Sequence, residues 1–171
     1  IMFKFFRHLK YKKMIRANAS FILGEFSTII NDTIEHFQDK GQIKSLEQKE
    51  VLKFELTAFV FWLFQTTNIF PEIWHKLLLD EMHNQYFDRL RKHGYDFEMR
   101  QLVCDDFILR NKAYNDIMRE DEDFSRVSAR FVRFLTERSK SEWDIKDMMI
   151  PLYLTEKLTP KFREFQDIMK S

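Results

Sequence analysis

The chain has 171 residues, of which 44% are hydrophobic and 32% charged, with a formal net charge of +1. That is about one domain's length, too apolar for disorder and long enough to bury roughly two-thirds of its unfolded surface. Three glycines and a single cysteine, Cys104, exclude a Gly-rich phosphate loop, an intrachain disulfide and a four-thiolate zinc site.

The first stretch mixes aromatics with cations. Lys4, Arg7, Lys10, Lys12, Lys13 and Arg16 all precede the first acid, Glu25, and Met2, Phe5, Phe6 and Leu9 share one helical face. The pattern reads as a basic aromatic arm over residues 1–13, ahead of a single helical domain over residues 14–171. Such an arm suits an anionic membrane surface, nucleic acid or another subunit. No small-residue cleavage site follows an apolar stretch of about 7–15 residues near the start, and no apolar segment of about 20 residues occurs, so neither a leader nor a membrane span is expected. With a lone cysteine, the expected location is cytoplasmic.

A first helix is expected over about residues 14–40, stopped by Gly41, and Ser45-Leu46-Glu47-Gln48 opens a second over about 45–66 as a capping box. Along the first helix Asn18, Glu25, Asp32 and His36 form a polar line. Gly24 inside it predicts close approach of a neighbouring helix or a ligand. The second helix carries Val51-Leu52-Lys53-Phe54-Glu55-Leu56-Thr57-Ala58-Phe59-Val60-Phe61-Trp62-Leu63-Phe64. At roughly 100° per residue this run is apolar nearly all round, the mark of a buried helix. Glu55 is then a carboxylate without easy access to water, and it must be partnered, neutralised or used.

Pro71 suits the first turn of a third helix, about 71–92, which Gly94 closes. Glu72-Ile73-Trp74-His75 has the Glu-x-x-His spacing used in carboxylate-bridged di-iron bundles, and Asp80-Glu81-Met82-His83 repeats it with Asp. Both pairs lie on one helix with the histidines about 80° apart on the wheel, so only one can face a given centre. That leaves a partial ligand set for iron, manganese or zinc, against hydrogen-bonded core histidines.

Asp96 caps a fourth helix running to about Arg119, where Asp106 and Arg110 sit mid-face among Met99, Leu102, Val103, Ala113, Tyr114 and Ile117. Their i, i+4 spacing allows an ion pair, and Arg110 also has donors for Glu55. The acids from Glu120 to Asp123 open a fifth helix to about Lys140, with Arg126, Arg130 and Arg133 forming a solvated strip opposite Phe124, Val127, Phe131 and Leu135. Ser141-Glu142-Trp143-Asp144 caps a sixth. Pro151 interrupts or restarts it, and Thr159-Pro160 begins a short last helix.

The expected fold is therefore all-α: a compact single-domain bundle of about six to seven helices around a central apolar helix at about 45–66. Its candidate site is a polar network or ligand pocket of Glu55, Asp106, Arg110, His75 and Glu25. With no motif that names a reaction, the favoured function is binding: a regulatory or adaptor-type homodimer with an apolar groove for a protein or an apolar small molecule, needing no cofactor. The competing reading is a helical metalloenzyme using Glu72, His75, Asp80 and His83. A third is membrane-surface or nucleic-acid binding through Lys4, Arg7, Lys10, Lys12, Lys13 and Arg16.

Overall fold

The computed structural model describes residues 2–67, 69–121, 123–139, 143 and 145–170, with side chains described for 11–67, 69–120, 123–139, 143 and 146–167. Among them are six α-helices, one 3₁₀ turn and no strand. The helices are α1 Met2–Asp39, α2 Leu46–Thr66, α3 Glu72–Lys92, α4 Phe97–Asp121, α5 Phe124–Ser139 and α6 Met149–Lys170, and the 3₁₀ turn spans Ile145–Met148. The protein is an all-α bundle, and among the described residues no helix is long and apolar enough to cross a membrane.

Local chemistry sets most of the breaks. Gly41, at φ +71°, takes the left-handed conformation that closes α1, and the Gln42 N–H bonds back to the Phe37 carbonyl at 3.1 Å. Gly94 does the same for α3 at φ +88°. Ser45 Oγ accepts the Gln48 N–H at 3.1 Å, while Gln48 Oε1 reaches one residue beyond the usual capping box to accept the Lys44 N–H at 2.8 Å. Asp96 caps α4 by accepting the Met99 N–H at 2.8 Å.

Three expectations are corrected. Helix α1 begins at Met2 rather than near residue 14, because no breaker precedes Gly24, and Tyr11, ahead of the expected start, already packs on α3. The Tyr11 and Trp74 rings lie 5.8 Å apart, and Gln85 Nε2 donates to the Arg16 carbonyl at 2.9 Å. Helix α6 runs through Pro160 without restarting. Its Leu154, Leu158 and Phe165 are buried on one face while Pro160 is exposed, so packing offsets one missing backbone hydrogen bond. At Gly24 an added Cβ would meet nothing within 4 Å among the described residues, so no neighbouring helix approaches it closely. The cap expected at Ser141 lies outside the described residues.

Helix α2 packs against α1, α3, α4 and α5. Leu52, Glu55, Leu56 and every residue from Ala58 to Phe64 are buried, which is why its apolar residues are not confined to a stripe. Its seam with α4 is polar as well as apolar. Trp62 Nε1 donates to Asn115 Oδ1 at 2.9 Å, Asn115 donates to Asn111, and Asn111 to Gln65. The ladder fixes the register of two helices whose greasy contacts alone would tolerate sliding.

Candidate functional site

Two features of this bundle are candidates for a site: a buried charge network and an open cleft beside it. Glu55, on α2, is fully buried. Arg110, on α4, grips it side-on with one edge of the guanidinium, Nε to Oε2 at 3.0 Å and Nη2 to Oε1 at 2.7 Å. The third direction is taken by Asp106, whose Oδ1 accepts from Arg110 Nη1 at 2.9 Å. Arg138, on α5, closes the group by donating from Nη1 to Asp106 Oδ2 at 2.8 Å, with Glu55 Oε1 at 3.6 Å. Two carboxylates and two guanidiniums balance, and the bidentate geometry gives Arg110 strong, directional bonds to offset its desolvation. Burial works against the Arg110 charge, but the hydrogen bonds and charge of Glu55, with that of Asp106, outweigh it and hold the pKa above its ordinary value. Aromatic faces complete the cage: Arg110 lies 4.5 Å from the Phe134 ring centre and Arg138 3.7 Å from that of Phe54.

The structure thus brings Glu55, Asp106 and Arg110 together and adds Arg138, which sequence reasoning passed over. Its signal was present. Arg138 falls seven residues after Phe131 and three after Leu135, at the edge of the buried stripe of α5. The strip that drew attention behaves otherwise: Arg130 stacks on Phe134 at 4.5 Å, and Arg133 pairs with Glu137 at 2.7 Å.

Glu25 and His75 do not join the network. Glu25 binds Lys161 Nζ of α6 at 2.9 Å. His75 is buried and stacked on Phe64 with ring centres 4.8 Å apart. The Gln65 backbone favours its protonated ring, yet neither ring nitrogen has a hydrogen-bond partner among the described residues. His83 stacks on Phe61 at 4.6 Å, and its Nδ1 lies 3.0 Å from the Leu79 carbonyl. Glu72 and Asp80 are exposed. The quartet Glu72, His75, Asp80 and His83 is therefore not gathered, and among the described residues no three His, Cys, Asp or Glu side chains converge as metal ligands. On α1, His36 stacks on Tyr153 at 4.4 Å.

Burial is the main cause that lowers both His75 and His83 below their ordinary value of 6.5. The unfolded chain then binds these protons more readily than the native one. Neither histidine costs stability above the unfolded pKa, and the cost grows as pH falls through about 6.5 towards the lowered native values. Melting temperature should fall between about pH 7.5 and 5, more steeply in the wild type than in a His75→Phe, His83→Phe double variant. Parallel pH profiles would show that these two rings do not carry the acid sensitivity.

The cleft, of about 560 Å³, opens between α1, α2 and the C-terminal half of α3. Leu23, Phe26 and Ile30 of α1 face Val51, Phe54 and Phe61 of α2, with Leu90 of α3 and Val103 of α4 beyond them. Polar groups collect on its rim and at one end: Glu50, Lys53, Arg89 and His93, then Tyr86, Tyr95 and Arg138. Arg138 is among the lining residues and Arg110 is not.

In the arm, Lys12, Lys13 and Arg16 are exposed, while the side chains of Lys4, Arg7 and Lys10 lie outside those described. The chain matches no protein-family model, and no curated protein or solved structure is similar to it.

Proposed function

We propose that the chain is a non-enzymatic, cytoplasmic binding protein whose ligand is an apolar small molecule held in the cleft between α1, α2 and α3. The observation that carries this reading is the cleft itself. Its volume, about 560 Å³, falls within the range of roughly 300–1,000 Å³ in which small-molecule sites are found, and apolar walls with polar groups to orient a ligand are what such sites use. The alternative of a carboxylate-based enzyme has less support, because Glu55 and Asp106 are engaged by Arg110 and Arg138 rather than turned towards a substrate. A neutral, environment-sensitive naphthylamine probe should bind with one site per chain. Ser27, exposed on α1 and lining the cleft, can be enlarged without touching the core. Ser27→Trp should weaken the probe at least about tenfold while leaving the melting temperature unchanged. A wild type that does not bind, or a variant that binds equally well, would sink the reading.

Self-association has its own support on the outer face of α4. Phe97, Leu102, Ile108 and Leu109 are all more than half exposed there, and antiparallel pairing of two copies would set Glu98 of each against Lys112 of the other. A two-fold contact needs such a self-complementary patch. Sedimentation velocity should give a dimer that Leu102→Glu with Leu109→Glu converts to monomer; a monomeric wild type at tens of micromolar would remove the homodimer.

A further inference from the structure

The polar end of the cleft narrows the choice of ligand. Among the described lining residues Lys53, Arg89 and Arg138 are cationic and Glu50 is the one acid. Arg138 commits only Nη1 to the buried carboxylates, and its Nε and Nη2 make no hydrogen bond among the described residues. Its side chain, 32% exposed, sits over Phe54 with the guanidinium carbon 3.7 Å from the ring centre. Tyr86 also lines this end, and no described residue hydrogen-bonds its hydroxyl. Burial, then neighbouring Tyr95, pushes its pKa up to about 12 against the opposing pull of Arg138, so it stays a protonated donor.

We propose that the cleft takes a long-chain aliphatic monocarboxylate, with its tail along Leu23, Phe26, Ile30 and Leu90 and its carboxylate on Arg138 and the Tyr86 hydroxyl. The assignment rests on the reading of the cleft as an apolar ligand site. Charge complementarity selects the head group. Glu55 and Asp106 already balance Arg110 and Arg138, so Lys53 and Arg89 against Glu50 leave one surplus positive charge at the cleft, and neither cation pairs with an acid among the described residues. One guanidinium edge beside one phenol matches the two oxygens of a carboxylate. A neutral lipid would leave that edge unpaired and desolvated, and a polyanion would find too few donors inside apolar walls.

The test displaces the neutral probe with palmitate and with hexadecanol, which share a tail and differ in the head. Palmitate should displace it at a concentration about tenfold or more below that of hexadecanol, the ratio expected of a hydrogen-bonded charge. Arg138→Gln and Tyr86→Phe should each weaken palmitate and leave hexadecanol within about twofold. Tyr86→Phe carries the test alone if Arg138→Gln melts early. Equal displacement by the two lipids, or equal loss of both in the variants, overturns the carboxylate and leaves the apolar site standing; failure of the probe to bind at all removes the apolar site itself. An acidic amphipathic peptide that outcompetes palmitate would give the cleft to a protein partner. A ligand-free dimer that Ser27→Trp splits would give it to a second copy of the chain.

Discussion

Glu55→Ala should lower the free energy of unfolding by about 3–5 kcal/mol, the range found when one member of a buried ion pair is removed. The loss would come less from the absent carboxylate than from what it leaves behind. Arg110, only 6% exposed, would keep Asp106 on Nη1 and lose both partners of its other edge. Its surroundings there are the rings of Phe134 and Phe54, which cannot replace hydrogen bonds. Urea denaturation with an unchanged m-value would report the loss, and the melting temperature should drop by on the order of 10 °C. The decisive comparison is Glu55→Leu with Arg110→Met. Removing both members leaves Arg138 and Asp106 paired at 2.8 Å, a neutral remainder, and buried ion pairs replaced by well-packed apolar groups are often neutral or better. The double variant should therefore recover most of the loss. A single-variant cost below about 1 kcal/mol, or a double variant as unstable as the single, would mean that the network does not anchor α4 to α2.

How much of this was legible in the sequence depended on whether a feature is local. The breaks at Gly41, Ser45, Gly94 and Asp96 were legible because a positive φ or a capping oxygen acts within four residues. The start of α1 and the passage through Pro160 were not, since burial against other helices decides them. Glu55 with Arg110 and Asp106 was readable because a charge inside an apolar face must find company, and two such faces in one small bundle must meet. Glu25 and His75 were grouped with them wrongly for a related reason. A helical wheel gives the face on which a side chain points, but not its height along the bundle, and at their heights the neighbours are Lys161 for one and Phe64 for the other. The cleft had no signature in any single helix. Its walls are ordinary amphipathic positions, and it exists only through the spacing of α1, α2 and α3.

Phe59→Ala should be the other large effect, costing about 3–5 kcal/mol, the usual range for emptying a buried aromatic site. Phe59 has no exposed surface, and four rings surround it: Trp62 at 5.3 Å, Tyr114 at 5.5 Å, Phe131 at 5.5 Å and Phe124 at 6.1 Å between centres. Three of these come from α4 and α5, so the side chain joins α2 to the far half of the bundle. Edge-on contacts of this kind add to burial, and the cavity cannot collapse easily, because the Trp62 indole is held by Asn115 at 2.9 Å. Ile73→Ala is the control. Its side chain is 75% exposed on α3 and lies outside both the cleft and the outer face of α4, and surface truncation of this sort stays within about 0.5 kcal/mol. The pair also separates the two jobs of α2. Phe59 and Trp62 face α4 and α5, whereas Val51, Phe54 and Phe61 face the cleft. Phe59→Ala should therefore lower stability while leaving probe affinity, measured well below its melting temperature, within about twofold. If affinity falls in step with stability, the two faces are coupled, and the cleft is shaped by the packing behind it rather than by its own walls.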